Sequence, residues 1–423
     1  MTHVAPPRLT AQDADASNPW MNARAVYPPV FFVAMAATML LFFSFQPLFP
    51  VLPLYVSAIG GSPADNGLAT WVFAAAALIS RPLAGVLADR WGRKPVLLLG
   101  AILFGGGPPL YALGANLPLL LAARVVHGVG MALFSTAYQA FIADLLTPER
   151  YGEGLGLANV ASMVPMVVGP LFGEYVAQAC GFRALFLILG LVGGVGLIVT
   201  LALPGGTSAG TRATAALRTQ ARAEGVAALA SPLISGPSSP WRMLREPGVR
   251  AGAVGMAVMG VPFGAFISFL PMLAEARGVG AIGWGFAAYA LAASLAQPLG
   301  GRVADRWGNL RTALVGLALV GVSAAGLAAA GQVWTLIGLS GLYGVGHGAA
   351  MAGLSASIQG GAGSDTRGSA AAIQYAVFDL LVGLGSWGLG LLATATDYGV
   401  VFGTVSGVVF LGTLIGALWM AKT

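Results

Sequence analysis

The chain has 423 residues, 57% hydrophobic and only 9% charged, with a formal net charge of +6, whereas a soluble protein carries about 25% charged residues. So few charges cannot cover a soluble fold of this length, so most of the surface must face lipid, and arginines set in short loops between apolar runs exclude a nucleic-acid footprint. One cysteine, Cys180, excludes an intramolecular disulfide and any cysteine-cluster metal site.

Residues 1–28 form a polar tail that includes Asp13 and Asp15. The apolar stretch after it is too long for a signal peptide and ends in no small-residue cleavage site, so it reads as a retained first span. A membrane-crossing helix needs about 20 apolar residues, and twelve such runs can be placed. Six lie near 29–56, 65–88, 95–114, 117–143, 152–178 and 184–203. Six more lie near 250–273, 280–304, 310–330, 333–358, 368–393 and 399–420. Between them, 204–249 is rich in Gly, Ser, Pro and Arg and reads as an aqueous linker. Its alanine-rich middle, 211–230, carries Arg212, Arg218 and Arg222 and suits a surface helix on an anionic leaflet. The expected fold is an all-α membrane protein with two six-helix bundles, 29–203 and 250–420.

Arginine placement sets the orientation. Arg90, Arg93 and Lys94 follow the second run, Arg150 the fourth, Arg306 and Arg311 the eighth and Arg367 the tenth, with more arginines in the linker. The other side carries Asp65, Arg183, Glu275, Arg277 and Asp397. The positive-inside rule then places both termini and the linker in the cytoplasm of a cell that holds this chain in its inner or plasma membrane. Glycine (62) and proline (25) would wreck a soluble helical protein, but in membrane helices they permit close backbone approach and tolerated kinks. Pro47, Pro50 and Pro53 in the first run match Pro262 and Pro271 in the seventh, and interrupted helices in matching places point to a transporter's moving parts.

The second run ends in Gly85-Val-Leu-Ala-Asp89-Arg90-Trp91-Gly92-Arg93-Lys94, and a degraded copy, Gly301-Arg-Val-Ala-Asp305-Arg306-Trp307-Gly308-Asn309, returns 216 residues later. Gly85 permits tight helix contact and Gly92 a sharp turn, while a carboxylate at Asp89 can cap a neighbouring helix N-terminus or pair with an arginine. The segment resembles the loop signature G-x-L-a-D-r-x-G-r-k of the major facilitator superfamily. The likeness covers the whole chain: twelve spans, two halves, a long linker and a weaker second motif. It implies that Asp89 with Arg93 latches onto the cytoplasmic start of the eleventh span, more firmly than Asp305 does in the second half. It also implies that the first, fourth, seventh and tenth spans surround the cavity.

The fourth run carries Arg124-Val-Val-His127-Gly128-Val-Gly130, similar to the family's R-x-x-q-G-x-g motif with His127 in place of glutamine. At 100° per residue Arg124, His127, Met131, Ser135 and Tyr138 share a stripe. A charge about two turns into a membrane helix faces a cavity or a partner, so Arg124 is a candidate for substrate or proton coupling, with pairing to Glu174 or Asp379 as the alternative. At an offset of 220, His127 meets His347 in the tenth run, and two histidines there either flank a cavity or sit buried and neutral. Gly169-Pro170-Leu-Phe-Gly173-Glu174 in the fifth run resembles the core of a motif associated with proton-driven exporters, with Pro165 and Glu174 departing from it. Physically, it makes a kinked, flat face able to pack closely on another helix. Glu174, near the outer end, is either a proton site or a hydrated interface residue.

Asp379 lies about eleven residues into the eleventh run, near mid-bilayer at about 1.5 Å per residue, where a carboxyl is a candidate for gaining and losing a proton. Arg81, two turns before Asp89, is expected to snorkel to the cytoplasm, and Gln297 replaces it in the second half, so the fold does not require the charge. Gln46, Gln374 and Tyr375 are further candidates to face the cavity, and Phe263 belongs to a Phe/Met cluster on the first and seventh runs suited to apolar substrates or to packing. No G-x-x-x-x-G-K-[ST] loop, zinc-protease, nucleophile-elbow or haem motif is present, so neither enzymatic chemistry nor a cofactor or metal is expected. The sequence reads best as a monomeric secondary transporter that exports a small amphipathic drug or metabolite in exchange for protons. An importer or facilitator of sugars or organic acids, and a membrane sensor on the same fold, stand as alternatives.

Overall fold

Proline and glycine decide where the helices begin, bend and stop. The computed structural model describes residues 27–113, 116–147, 150–204, 244–361 and 367–420, and thirteen α-helices hold nearly all of them. The tail with Asp13 and Asp15, and the linker stretch with Arg212, Arg218 and Arg222, lie outside the described residues.

The first span is broken into α1 (Pro29–Phe45) and α2 (Leu48–Ala58) at Gln46-Pro47, where proline removes a backbone donor. Helix α3 (Pro63–Trp91) starts on a capping box in which Ser62 and Asp65 satisfy each other's backbone amides. The third span is α4 (Arg93–Gly105) and the short α5 (Gly107–Tyr111), joined at Gly106. Next come α6 (Leu117–Leu145) and α7 (Tyr151–Leu201), the latter broken into the fifth and sixth spans at Gly181, whose φ of 83° suits glycine alone. The second half holds α8 (Pro247–Ala276), α9 (Ile282–Trp307), α10 (Asn309–Ala329), α11 (Val333–Gly360), α12 (Arg367–Ala395) and α13 (Tyr398–Met420). Eight helical segments among the described residues are long and apolar enough to cross a membrane, and α7 supplies two spans within one of them. With α4–α5, α9 and α11 packed among them, the described residues make twelve spans.

Each half has its own apolar core. One is built on Leu41, Phe104, Phe134 and Phe186, the other on Met256, Phe266, Phe286 and Phe402. The duplication is visible in the backbone contacts. A Cβ on Gly100 would sit 2.4 Å from the Phe134 nitrogen, and one on Gly316 would sit 2.5 Å from the Ala350 nitrogen. Likewise Gly128 presses on the Phe73 carbonyl (2.5 Å) as Gly344 presses on that of Tyr289 (2.3 Å). All four correspondences carry the 216-residue offset of the Asp89 and Asp305 motifs. Gly92 (φ 89°) and Gly308 (φ 95°) make the same turn in both copies.

Candidate functional site

Helix α3 runs from the end bearing Asp65 to the end bearing Arg90 and Arg93, here called the basic end, and α12 runs antiparallel to it in the other half. Their seam is closed from the opposite end inward. The Ala64 amide donates to Thr394 Oγ1 (3.2 Å), and Asn66 Nδ2 donates to the Ser268 carbonyl on α8 (2.6 Å). Thr70 and Ser268 share a hydroxyl bond (3.0 Å), and Ser268 Oγ donates to Ser386 Oγ (3.2 Å). A Cβ on Gly67 would lie 2.2 Å from the Ser386 carbonyl, and one on Gly383 would lie 2.3 Å from the Trp71 ring. Small residues here let two backbones meet, as membrane helix interfaces require.

The seam ends in an ion pair. Arg81 Nη2 and Nε reach Asp379 Oδ2 at 2.9 and 3.2 Å, and the guanidinium also lies 5.5 Å from the centre of the Tyr375 ring. The two side chains keep 23% and 19% of their surface exposed, so neither is sealed away. Arg81, expected to snorkel to the cytoplasm, is instead paired with a carboxylate across the seam. Beyond this pair, at Gly85, an added Cβ would meet nothing within 4 Å, so the tight contact expected there is not made among the described residues. Helices α6 and α11 make no substantial contact with the opposite half.

A second seam joins α7 to α9. Glu174 accepts the Ile282 amide on one oxygen (3.0 Å) and the Gly283 amide on the other (2.6 Å). Gly169 and Gly173 press on the α1–α2 break, where their Cβ atoms would fall 2.9 Å from Gln46 Cβ and 2.4 Å from the Pro47 carbonyl. The Pro170 carbonyl lies 3.0 Å from the Cβ position of Gly283. The kinked face expected of this segment thus packs on both halves.

The remaining candidates scatter. Arg124 pairs with no acid among the described residues; its Nε donates to the Ala69 carbonyl (3.0 Å) and its guanidinium stacks 4.2 Å from the centre of the Phe73 ring, so it binds α6 to α3 inside the first half. His127 is fully buried beside Phe45, Phe73 and Phe104, and its Nδ1 shares a hydrogen bond with Tyr111 Oη (2.8 Å). The repeat offset of 216 sets Tyr343, not His347, opposite it; both His127 and Tyr343 contact their repeat-related rings, Phe73 at 5.6 Å and Tyr289 at 5.7 Å. His347 lies one turn further along, among Phe263, Tyr289, Tyr343 and Phe378. Tyr138 donates to the Ala158 carbonyl (3.1 Å), and Gln374 Nε2 donates to Ser355 Oγ (2.7 Å). Gln46 is buried at the helix break, and Tyr375 remains 39% exposed beside Arg81.

Among the described residues Arg93 bridges Asp89 (2.6 Å) and Asp144 at the end of α6 (3.1 Å), both in the first half. The side chains at the start of α12, where the expected latch of Asp89 and Arg93 would fall, lie outside the described residues. Asp305 has no ion pair among the described residues. Sequence reasoning missed Asn66, Thr70, Ser268 and Ser386, which look like ordinary small polar residues until two halves bring them together.

The sequence model of the Major Facilitator Superfamily matches residues 34–281 and 252–423. The chain is similar to Quinolone resistance protein NorA of Staphylococcus aureus, 28% identical over 172 residues, 41% of this chain and 44% of that protein. It is also similar to Multidrug resistance protein 2 of Bacillus subtilis, 26% identical over 148 residues, 35% of this chain and 37% of that protein. These matches span less than half the length of either relative. In structure it resembles a peptide transporter POT crystallised with sulfate, with a TM-score of 0.74, 16% identity and 98% and 99% of the two chains covered. At that identity the likeness concerns the fold.

Proposed function

The chain belongs to the Major Facilitator Superfamily and is a membrane transporter, and on that premise we propose that it exports a small amphipathic drug or metabolite in exchange for protons. The observation that carries this reading is the Arg81–Asp379 pair, which ties the two halves together where their seam parts. Removing one partner of a partly buried pair leaves an uncompensated charge, at a cost below the roughly 3–5 kcal/mol of a fully buried pair. Protonation of Asp379 is such a removal: it discharges the carboxylate, frees Arg81 to be hydrated, and loosens α3 from α12. Proton entry and the rocking of the halves 29–203 and 250–420 are then one event.

Export is supported by the likeness to two resistance proteins. The basic end is taken as cytoplasmic, with both termini there, so the described state is open to the cytoplasm of a plasma or inner membrane. Substrate is received beside Tyr375, Phe263, Phe378 and His347, an aromatic surface adjoining the pair, with Gln374 and Gln46 as polar contacts. Aromatic faces next to a switchable charge suit a ligand with an apolar body and one polar group. Arg124, His127 and Tyr138 enter as positioning residues that hold α6 against α3 and α7.

Everted membrane vesicles bearing the transporter test this. With a proton gradient imposed, adding a fluorescent quinolone is expected to release protons and drive uptake of the dye into the vesicles. Asp379→Asn is expected to abolish both responses at normal expression. Coupled transport unchanged in Asp379→Asn would overturn the coupling assignment, and quinolone uptake indifferent to the gradient would overturn antiport.

A further inference from the structure

Helix α9 begins without a cap of its own. Its N-cap residue is Ala281, which offers no side-chain acceptor, and the first amides of any helix have no partner within it. The Ile282 and Gly283 amides are nevertheless both satisfied, by the two oxygens of Glu174 from the other half of the molecule. Ala281 is also the sole described non-glycine residue at positive φ, 61°, a conformation that persists where its surroundings enforce it. A strained turn thus aims two amides across the seam at one carboxylate, and the partial positive charge of a helix N-terminus favours that anion.

We propose that Glu174 is the latch of the gate opposite the basic end: a carboxylate of the first half that caps the second half's α9 while that gate is closed and releases it when the halves tilt apart. The proposal rests on alternating access within the reading above, but not on the substrate or the coupling ion. It assigns Glu174 a positioning role in the conformational equilibrium. Its other hydrogen-bonding neighbour is Gln178, one turn along α7, whose Nε2 donates to Oε1 at 3.3 Å. Gly283 is required at its position, since a Cβ there would lie 2.8 Å from Glu174 Oε2 and 3.0 Å from the Pro170 carbonyl. Within this seam one anion and two backbone amides join the packing of Met166 and Val167 on the second half's core, so the contact depends on charge as well as on shape.

The single native cysteine serves the test. Cys180 is exposed at the end of α7's first segment, and Trp334, 81% exposed, stands at the matching end of α11 in the other half. Spin labels on Cys180 and on Trp334→Cys report the opening of this gate by their separation in lipid nanodiscs, without substrate or gradient. The parent is expected to give mainly the short distance. Glu174→Gln, which keeps the shape and one acceptor but loses the charge, and Glu174→Ala are each expected to raise the ratio of long to short distances by about tenfold or more, equivalent to about 1.4 kcal/mol. Melting of the purified protein should stay near the parent's, because each half keeps its own core. Parental distance distributions in both variants would overturn the proposal. Because no transport is measured, a shifted distribution together with absent quinolone efflux would leave the latch standing and sink the export reading instead.

Discussion

Arg81 and Arg124 are both arginines inside the membrane, and they have opposite surroundings. Arg81 meets a carboxylate across the seam and keeps some exposure, so its pairing changes when the halves move. Arg124 is held by a carbonyl and an aromatic face within one half, and its environment travels with it. A switch belongs to the first kind of site and a brace to the second. Ala281 offers a sharper residue-scale test of strain. The left-handed conformation costs an L-residue about 1–2 kcal/mol, while glycine loses about 0.4–1 kcal/mol through its freer unfolded chain. Ala281→Gly should therefore stabilise the purified transporter by roughly half to one kcal/mol, seen as a small rise in its melting temperature. A fall would mean that the turn is not strained.

Between elements, the α3–α12 seam is held by small residues more than by bulk. Gly67 lies so close to the Ser386 carbonyl that even one methyl group has nowhere to go. Overpacking of this kind typically costs about 1–3 kcal/mol, and the strain is relieved by parting the helices. Gly67→Ala is therefore expected to open the gate opposite the basic end, lengthening the Cys180 to Trp334→Cys distance described above, whereas Gly85→Ala, at an open position on the same helix, should leave it unchanged. These elements also show what was legible in the sequence. Hydrophobic runs located the spans, and Pro47 fell where the first one breaks, while the runs alone did not single out the break at Gly181. Membrane depth read from residue counts brought out Asp379, but its partner Arg81 is 298 residues away. The pairing of Glu174 with two amides left no trace in the sequence, because backbone groups look alike at every position. His127 and His347 matched by residue type at an offset of 220, but the glycine contacts hold the register at 216 and set Tyr343 against His127.

For the whole molecule, duplication supplies two halves of one architecture and divergence supplies a direction. The basic-end turns are congruent, Gly92 against Gly308, yet only the first is followed by an arginine that ties down an acid on the preceding helix. Arg93 clasps Asp89 and Asp144, and in the alternating-access reading proposed above, closure of the basic end would let the same groups meet the start of α12. With Asp89 largely exposed, its pair with Arg93 contributes about 0.2–1 kcal/mol to stability, so Asp89→Asn should melt close to the parent. The closed state stands to lose more: one charge-assisted hydrogen bond there is worth about 1.5–3 kcal/mol, which corresponds to a transport rate lower by about ten- to a hundredfold if closure limits turnover. In the second copy Asn309 replaces the arginine, and Asp305 has no ion pair among the described residues to lose. Asp305→Asn should then transport within about twofold of the parent, no more than the loss of a weak exposed pair would give. Initial rates of quinolone uptake into everted vesicles at matched expression compare the two variants directly. Equal losses in both would show that the halves share the work of closing the basic end, and the asymmetry read from the two copies would then have no mechanical consequence.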